Sequence, residues 1–151
     1  VDAVVASIGG GGLIAGIGSA LRALKPDTKI LAAEPETASP LATSFQAGTA
    51  SRFPNWEASF VDGAGGKTVL PSMWPLLSCL VDDSIVVSLK EVAYAMRLIA
   101  ERTRVIAEGA AACAVAAALT GRAGSGKIVA IISGGNIDLP KFAALTAGSA
   151  D

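Results

Sequence analysis

Histidine is absent from this 151-residue chain. Its absence excludes metal sites built on imidazole, Ser/His/Asp triads and Cys/His nucleophilic pairs. Aromatic residues make up only 5%, against 52% hydrophobic overall. A core therefore has to be built from Ala, Val, Leu and Ile, as where strands are covered on both faces, and this favours an α/β fold. Charge of one sign is lacking too. The net charge is −1, with acids and bases spread along the chain and no basic stripe, so nucleic acid is not an expected partner. The longest nearly unbroken apolar run, Ala110 to Leu119, falls well short of the roughly 20 residues that cross a bilayer, and no membrane segment is expected. Cysteine is limited to Cys79 and Cys113, without CxxC spacing and among apolar neighbours; they read as small core packers in a reducing compartment, the cytoplasm. No initiator Met stands at the start, where Val1 already lies in what reads as a strand. The expectation is one domain over residues 1–151, the later part of a larger protein whose N-terminal segment lies outside this chain.

What the chain does have is an alternation of apolar strands and helices, punctuated by glycine. A strand from Asp2 to Ile8 runs into Gly9, Gly10, Gly11 and Gly12, then a helix from Leu13 to Leu24, a Lys25-Pro26-Asp27 turn and a strand from Lys29 to Ala33. That is a βαβ unit, whose crossover is expected to be right-handed. A short helix from Leu41 to Ala47 stops at Gly48, and the stretch from there to Leu70 is loop-rich, with Pro54, Gly63, Gly65 and Gly66. Long loops inside compact domains tend to be functional. Pro71 to Leu80 reads as helical and Ser84 to Val87 as a strand. Ser88-Leu89-Lys90-Glu91 is a capping box opening a helix to about Arg102. Glu108 to Leu119 is a buried, alanine-rich helix, and a last strand from Lys127 to Ile132 enters a second glycine loop, Ser133-Gly134-Gly135-Asn136. The architecture implied is an open, mostly parallel sheet with helices on both faces.

Four consecutive glycines between a strand and a helix make an anion cradle, because glycine admits left-handed φ and the helix N-terminus adds partial positive charge. Three readings compete. Gly10, Gly12 and Ala15 fit G-x-G-x-x-A, and Glu34 closes the next strand 22 residues after Gly12, so an NAD-binding Rossmann domain is one. A tight turn with no ligand is another, although each glycine costs about 0.5 to 1 kcal/mol relative to alanine. The third uses both glycine loops: ligands of open α/β sheets sit beyond the carboxyl ends of strands, so Gly9 to Gly12 and Ser133 could grip opposite ends of one phosphorylated ring.

Over nearly the whole chain, the ordered motifs Ile8 to Gly16, Ala33-Glu34-Pro35, Asp62-Gly63, Glu108-Gly109-Ala110 and Ser133-Gly134-Gly135-Asn136 resemble those of the serine/threonine dehydratase and serine racemase family of pyridoxal-phosphate enzymes, which share the tryptophan synthase β-subunit fold. The resemblance implies that Gly9, Gly10, Gly11, Gly12 and Leu13 bind the cofactor phosphate and that Ser133, followed by Gly134, bonds the pyridine nitrogen. It implies an ammonia-lyase turning L-serine or L-threonine into a 2-oxo acid and ammonia, with a racemase or a non-catalytic cofactor-binding or association fragment as alternatives. In this family the lysine that joins the cofactor precedes the glycine loop. The six lysines here fall at turns, helix surfaces and strand starts, so no catalytic residue is expected in this chain. A homo-oligomer is expected as well. Some relatives hold a divalent cation through the strand-end glutamate, a carbonyl four residues on and a carboxylate two beyond; the corresponding residues are Glu34, Ala38 and Pro40, and proline offers no carboxylate. After Asp62-Gly63 the chain departs from the family pattern with Ala64-Gly65-Gly66-Lys67, which leaves that loop without an assigned role.

Overall fold

The apolar run at the start forms β1 (Ala3–Ser7), buried along its whole length, and α1 (Gly12–Leu24) follows the glycines. β2 (Lys29–Pro35), α2 (Pro40–Ala47), α3 (Trp74–Leu80), β3 (Asp83–Val87), α4 (Leu89–Thr103), α5 (Gly109–Leu119), β4 (Ile128–Ala130) and α6 (Leu139–Thr146) complete the order. This computed structural model describes residues 1–147; residues 148–151 of the expected 1–151 domain lie outside the described ones. The four strands form one sheet in the order β3-β2-β1-β4, and every pairing is parallel, in register Ala3 with Lys29 and Ile128, and Leu31 with Asp83.

Alternation along the strands sorts the core into two layers. Ala3, Val5, Leu31, Ala33, Ile85 and Val87 face the layer of α4, α5 and α6, whereas Ala6, Ile8, Ile30 and Ala32 face α1, α2 and α3. Helices thus cover both faces, as the aliphatic composition requires. α5 is buried on nearly every side, with Ala111, Ala112, Cys113, Ala114 and Ala117 at 0% exposure. Its alanines let it lie close to the sheet and to α4, where a larger side chain would overpack the layer. α4 opens on the expected capping box: Ser88 Oγ accepts from the Glu91 N–H, and the Glu91 carboxylate accepts from the Ser88 N–H. Gly48 ends α2 in the left-handed conformation, at φ 69°.

Three elements differ from the sequence reading. The last strand spans only Ile128–Ala130, because β4 pairs with β1 alone and the backbone leaves the sheet after the Ile131 N–H reaches the Val5 carbonyl. The helical segment after Pro71 starts only at Trp74, where Pro75 occupies the first turn. α6 was not anticipated; its signal is weak, with Pro140 in the first turn and the apolar Phe142 and Leu145 three apart against the α5 layer. No helix among the described residues is long and apolar enough to cross a membrane.

The two thiols differ in environment. Cys79 is exposed, whereas Cys113 is buried in α5, and burial, with the Glu34 carboxylate acting in the same direction, pushes its thiol up to about 12. At about pH 8 a thiol reagent is expected to modify Cys79 in the folded protein and Cys113 only after denaturation. Peptide mapping reads the result directly, and rapid labelling of Cys113 without denaturant would mean that α5 opens.

Candidate functional site

At the carboxyl edge of the sheet, the chain leaves β1 toward α1 on one face and β4 toward α6 on the other. The crevice between these neighbouring strands is where open α/β sheets place ligands. Ser7, Gly9, Gly10, Gly11, Gly12, Leu13, Gly63, Glu108, Ala110 and Ser133 line a cleft of about 190 Å³ there. The structure therefore brings the first glycine loop and Ser133 to one place. Gly11, at φ 93°, turns the chain into α1, which has no side-chain cap and no acid in its first turn. The N–H groups of that turn lack intrahelical acceptors, so they and the helix dipole favour an anion at the loop. An ideal Cβ on Gly10 or Gly12 would meet nothing within 4 Å, so the loop backbone is open to a ligand. Ser133, which lines the same cleft, carries a neutral hydroxyl of the kind that can bond a ring nitrogen. This donor set fits a phosphorylated pyridine.

Gly134 does not line the cleft. Its carbonyl accepts the Glu108 N–H at 3.1 Å, and a Cβ there would fall 2.7 Å from Glu108 Oε1. Glu108 precedes α5, but its carboxylate does not cap that helix; Oε2 accepts the Asn136 N–H at 3.0 Å. Glu108 thus holds the Ser133–Asn136 loop by side chain and by backbone. The same side chain lines a second, polar cleft of about 210 Å³ with Phe60, Asp62, Asn136, Asp138 and Lys141.

The loop around Asp62-Gly63 is a wedge between these parts. The Gly65 N–H donates to the Ile8 carbonyl at 2.9 Å, the Trp56 indole donates to the Gly65 carbonyl at 3.3 Å, and a Cβ on Gly63 would stand 3.0 Å from the Ala110 Cβ. Its glycines let the first glycine loop, the wedge and the start of α5 meet at backbone contact. Sequence reasoning did not name Ser7, whose hydroxyl donates to the Ala110 carbonyl and ties β1 to α5 at the cleft floor. The available signal was one polar residue in an otherwise apolar strand.

Glu34 does not line this cleft. It is 0% exposed, on the α2 side of the sheet, and its carboxylate accepts the N–H groups of Leu41 and Ala42, both at 2.8 Å, and the Ser84 hydroxyl at 2.7 Å. Burial raises its pKa above the ordinary carboxylate value, and these three hydrogen bonds oppose the rise. A carboxylate so enclosed does not reach a ribose, which removes the dinucleotide reading although the strand order itself matches that fold. None of the six lysines lines the glycine cleft among the described residues; Lys141 stands in the polar cleft and Lys67 lies 4.5 Å over the Trp56 ring.

Residues 1–134 match the family described as pyridoxal-phosphate dependent enzymes. The chain belongs to that family. As a pyridoxal-phosphate-dependent family member it is 35% identical over 150 residues to L-threonine dehydratase catabolic TdcB of Escherichia coli, covering 97% of this chain and 45% of that relative. Its fold superposes on the processed form of threonine deaminase isoform 2 from Solanum lycopersicum with a TM-score of 0.88, at 30% identity, covering 97% of this chain and 44% of that one. Maize serine racemase gives a TM-score of 0.84 at 36% identity, covering 93% of this chain and 46% of the racemase. This family member spans under half the length of each relative. The sheet and its two helical layers are those of the pyridoxal-phosphate enzymes of this type.

Proposed function

We propose that this chain supplies the cofactor-holding half of a pyridoxal-phosphate-dependent ammonia-lyase that converts a β-hydroxy amino acid such as L-serine or L-threonine to a 2-oxo acid and ammonia. The observation that carries the reading is the single cleft shared by Gly9 to Leu13 and Ser133. The loop N–H groups and the α1 N-terminus would hold the phosphate, and the Ser133 hydroxyl would bond the ring nitrogen. When bound, the cofactor supplies an electron sink for the substrate α-carbon. A neutral hydroxyl at the nitrogen leaves the ring largely unprotonated and the sink modest, which suits loss of a β-hydroxyl. Gly63 and the start of α5 would close the cleft against water beside the ring, and Glu108 would keep Ser133 in place.

The lysine that joins the cofactor would come from outside this chain, since no lysine among the described residues lines the cleft. In the native full-length protein, Ser133→Ala is expected to weaken pyridoxal phosphate binding about tenfold, the loss of one useful hydrogen bond at about 1.4 kcal/mol. Cofactor fluorescence titration measures it, and binding at wild-type strength would remove Ser133 from the site. The 36% identity to maize serine racemase supports a second reading, amino-acid racemisation. Parallel assays for 2-oxo acid and for D-serine from L-serine separate the two.

A further inference from the structure

The residues at the position of a family cation do not fit one. A hard divalent cation needs about six oxygen ligands. On Glu34, Oε2 already accepts from the Ala42 N–H and the Ser84 hydroxyl, and Oε1 from the Leu41 N–H, in a side chain with no exposure. That leaves one carboxylate lone pair. The Ala38 carbonyl is covered by Gly65, whose Cβ, if it had one, would fall 2.6 Å from that oxygen. Pro40 carries no carboxylate and instead starts α2, where its missing N–H costs nothing. Its ring sets the helical φ and presents the next two N–H groups to Glu34.

We propose that Glu34 is a cation-free latch: the N-terminus of α2 and the Ser84 hydroxyl neutralise its buried carboxylate, and the pinned helix backs the first glycine loop without a divalent ion. The geometry links latch and loop. Glu34, Leu41, Gly9, Gly10 and Leu77 surround the same small cavity of about 20 Å³, so α2 packs behind the glycines with little slack. Glu34 also joins three elements at once, lying on β2 and bonding to α2 and to Ser84 of β3. A helix N-terminus offers partial positive charge and two aligned donors, which is what an enclosed carboxylate needs in place of an ion. Ala38 and Pro40 act here as helix entry, not as ligands.

The test uses the native full-length protein without substrate, so its outcome is independent of the lyase reading. Thermal unfolding midpoints in EDTA and in millimolar Mg²⁺ or Ca²⁺ are expected to agree within about 1 °C. Pyridoxal phosphate affinity is expected to be the same in both. Glu34→Gln keeps one acceptor oxygen but turns an NH2 donor toward one of the two α2 N–H groups, and is expected to lower the midpoint by about 5 °C or more. It is also expected to weaken phosphate binding, read with inorganic phosphate as competitor. Ser84→Ala keeps both α2 donors and should give a smaller loss of the same sign. An EDTA-reversible rise in midpoint above about 3 °C with either ion, or more than threefold tighter cofactor binding, would overturn the proposal; so would a Glu34→Gln protein as stable and as tight as wild type. The cation arm is read on the unaltered protein and needs no variant to fold.

Discussion

Replacing Gly65 by alanine is expected to cost about 3 to 5 kcal/mol, a large share of the roughly 5 to 15 kcal/mol that holds a domain together. Two costs add. The residue sits at φ +72°, where an L side chain loses about 1 kcal/mol. The new methyl would also stand 2.6 Å from the Ala38 carbonyl oxygen, 2.7 Å from the Ala38 Cβ and 3.0 Å from the Pro35 ring. Neither backbone can retreat freely: the Gly65 N–H is tied to Ile8, and Ala38 bonds through its own N–H to the Pro35 carbonyl. Urea unfolding of the full-length protein measures the loss. A drop under about 1 kcal/mol would show that the wedge loop shifts as a unit and does not fix the cleft.

That loop is where sequence legibility ended, for a physical reason. The βαβ start, the capping box at Ser88 and Glu91, the Gly48 stop and the buried alanine helix rest on signals within a few residues of one another, and the structure shows each. The features that build the site join distant residues. Ser7 and its acceptor Ala110 are 103 residues apart, and Glu34 and Ser84 are 50 apart. Spacing along the chain carries no trace of such pairs. Glu34 reads in sequence as a strand-end acid with two possible duties, ribose or cation, and only its enclosure by α2 and β3 removes the ribose. The stretch Ala64-Gly65-Gly66-Lys67 looked like a departure from pattern; in the fold, Gly65 is the residue that lets the wedge pass Ala38.

α6 failed in the opposite way. Its signal was local but thin, because a proline in the first turn and a short length look like loop until Phe142 and Leu145 find the α5 layer. Tertiary burial, not propensity, makes this helix. The two glycine loops were legible as loops, yet their meeting at one cleft follows from β1 and β4 being neighbours in the sheet, a fact of topology.

One substitution applied to two glycines of the same segment is expected to give opposite results. Gly16 lies in α1 with nothing within 4 Å of an added Cβ, so Gly16→Ala should stabilise the protein by about 0.5 to 1 kcal/mol and leave pyridoxal phosphate affinity unchanged. Gly9 has ordinary φ, but its Cβ would meet the Gly63 carbonyl oxygen at 2.9 Å, a backbone atom in the wedge. Relief requires moving either the glycine loop or the wedge, and both line the cleft. Gly9→Ala is therefore expected to weaken pyridoxal phosphate binding about 100-fold, equivalent to about 3 kcal/mol. Because the displaced groups are those that would face the phosphate, binding of pyridoxal, which lacks it, should fall far less. Equal losses for the two ligands would place the damage at the ring end of the cleft. Wild-type affinity for both would remove the first glycine loop from the site.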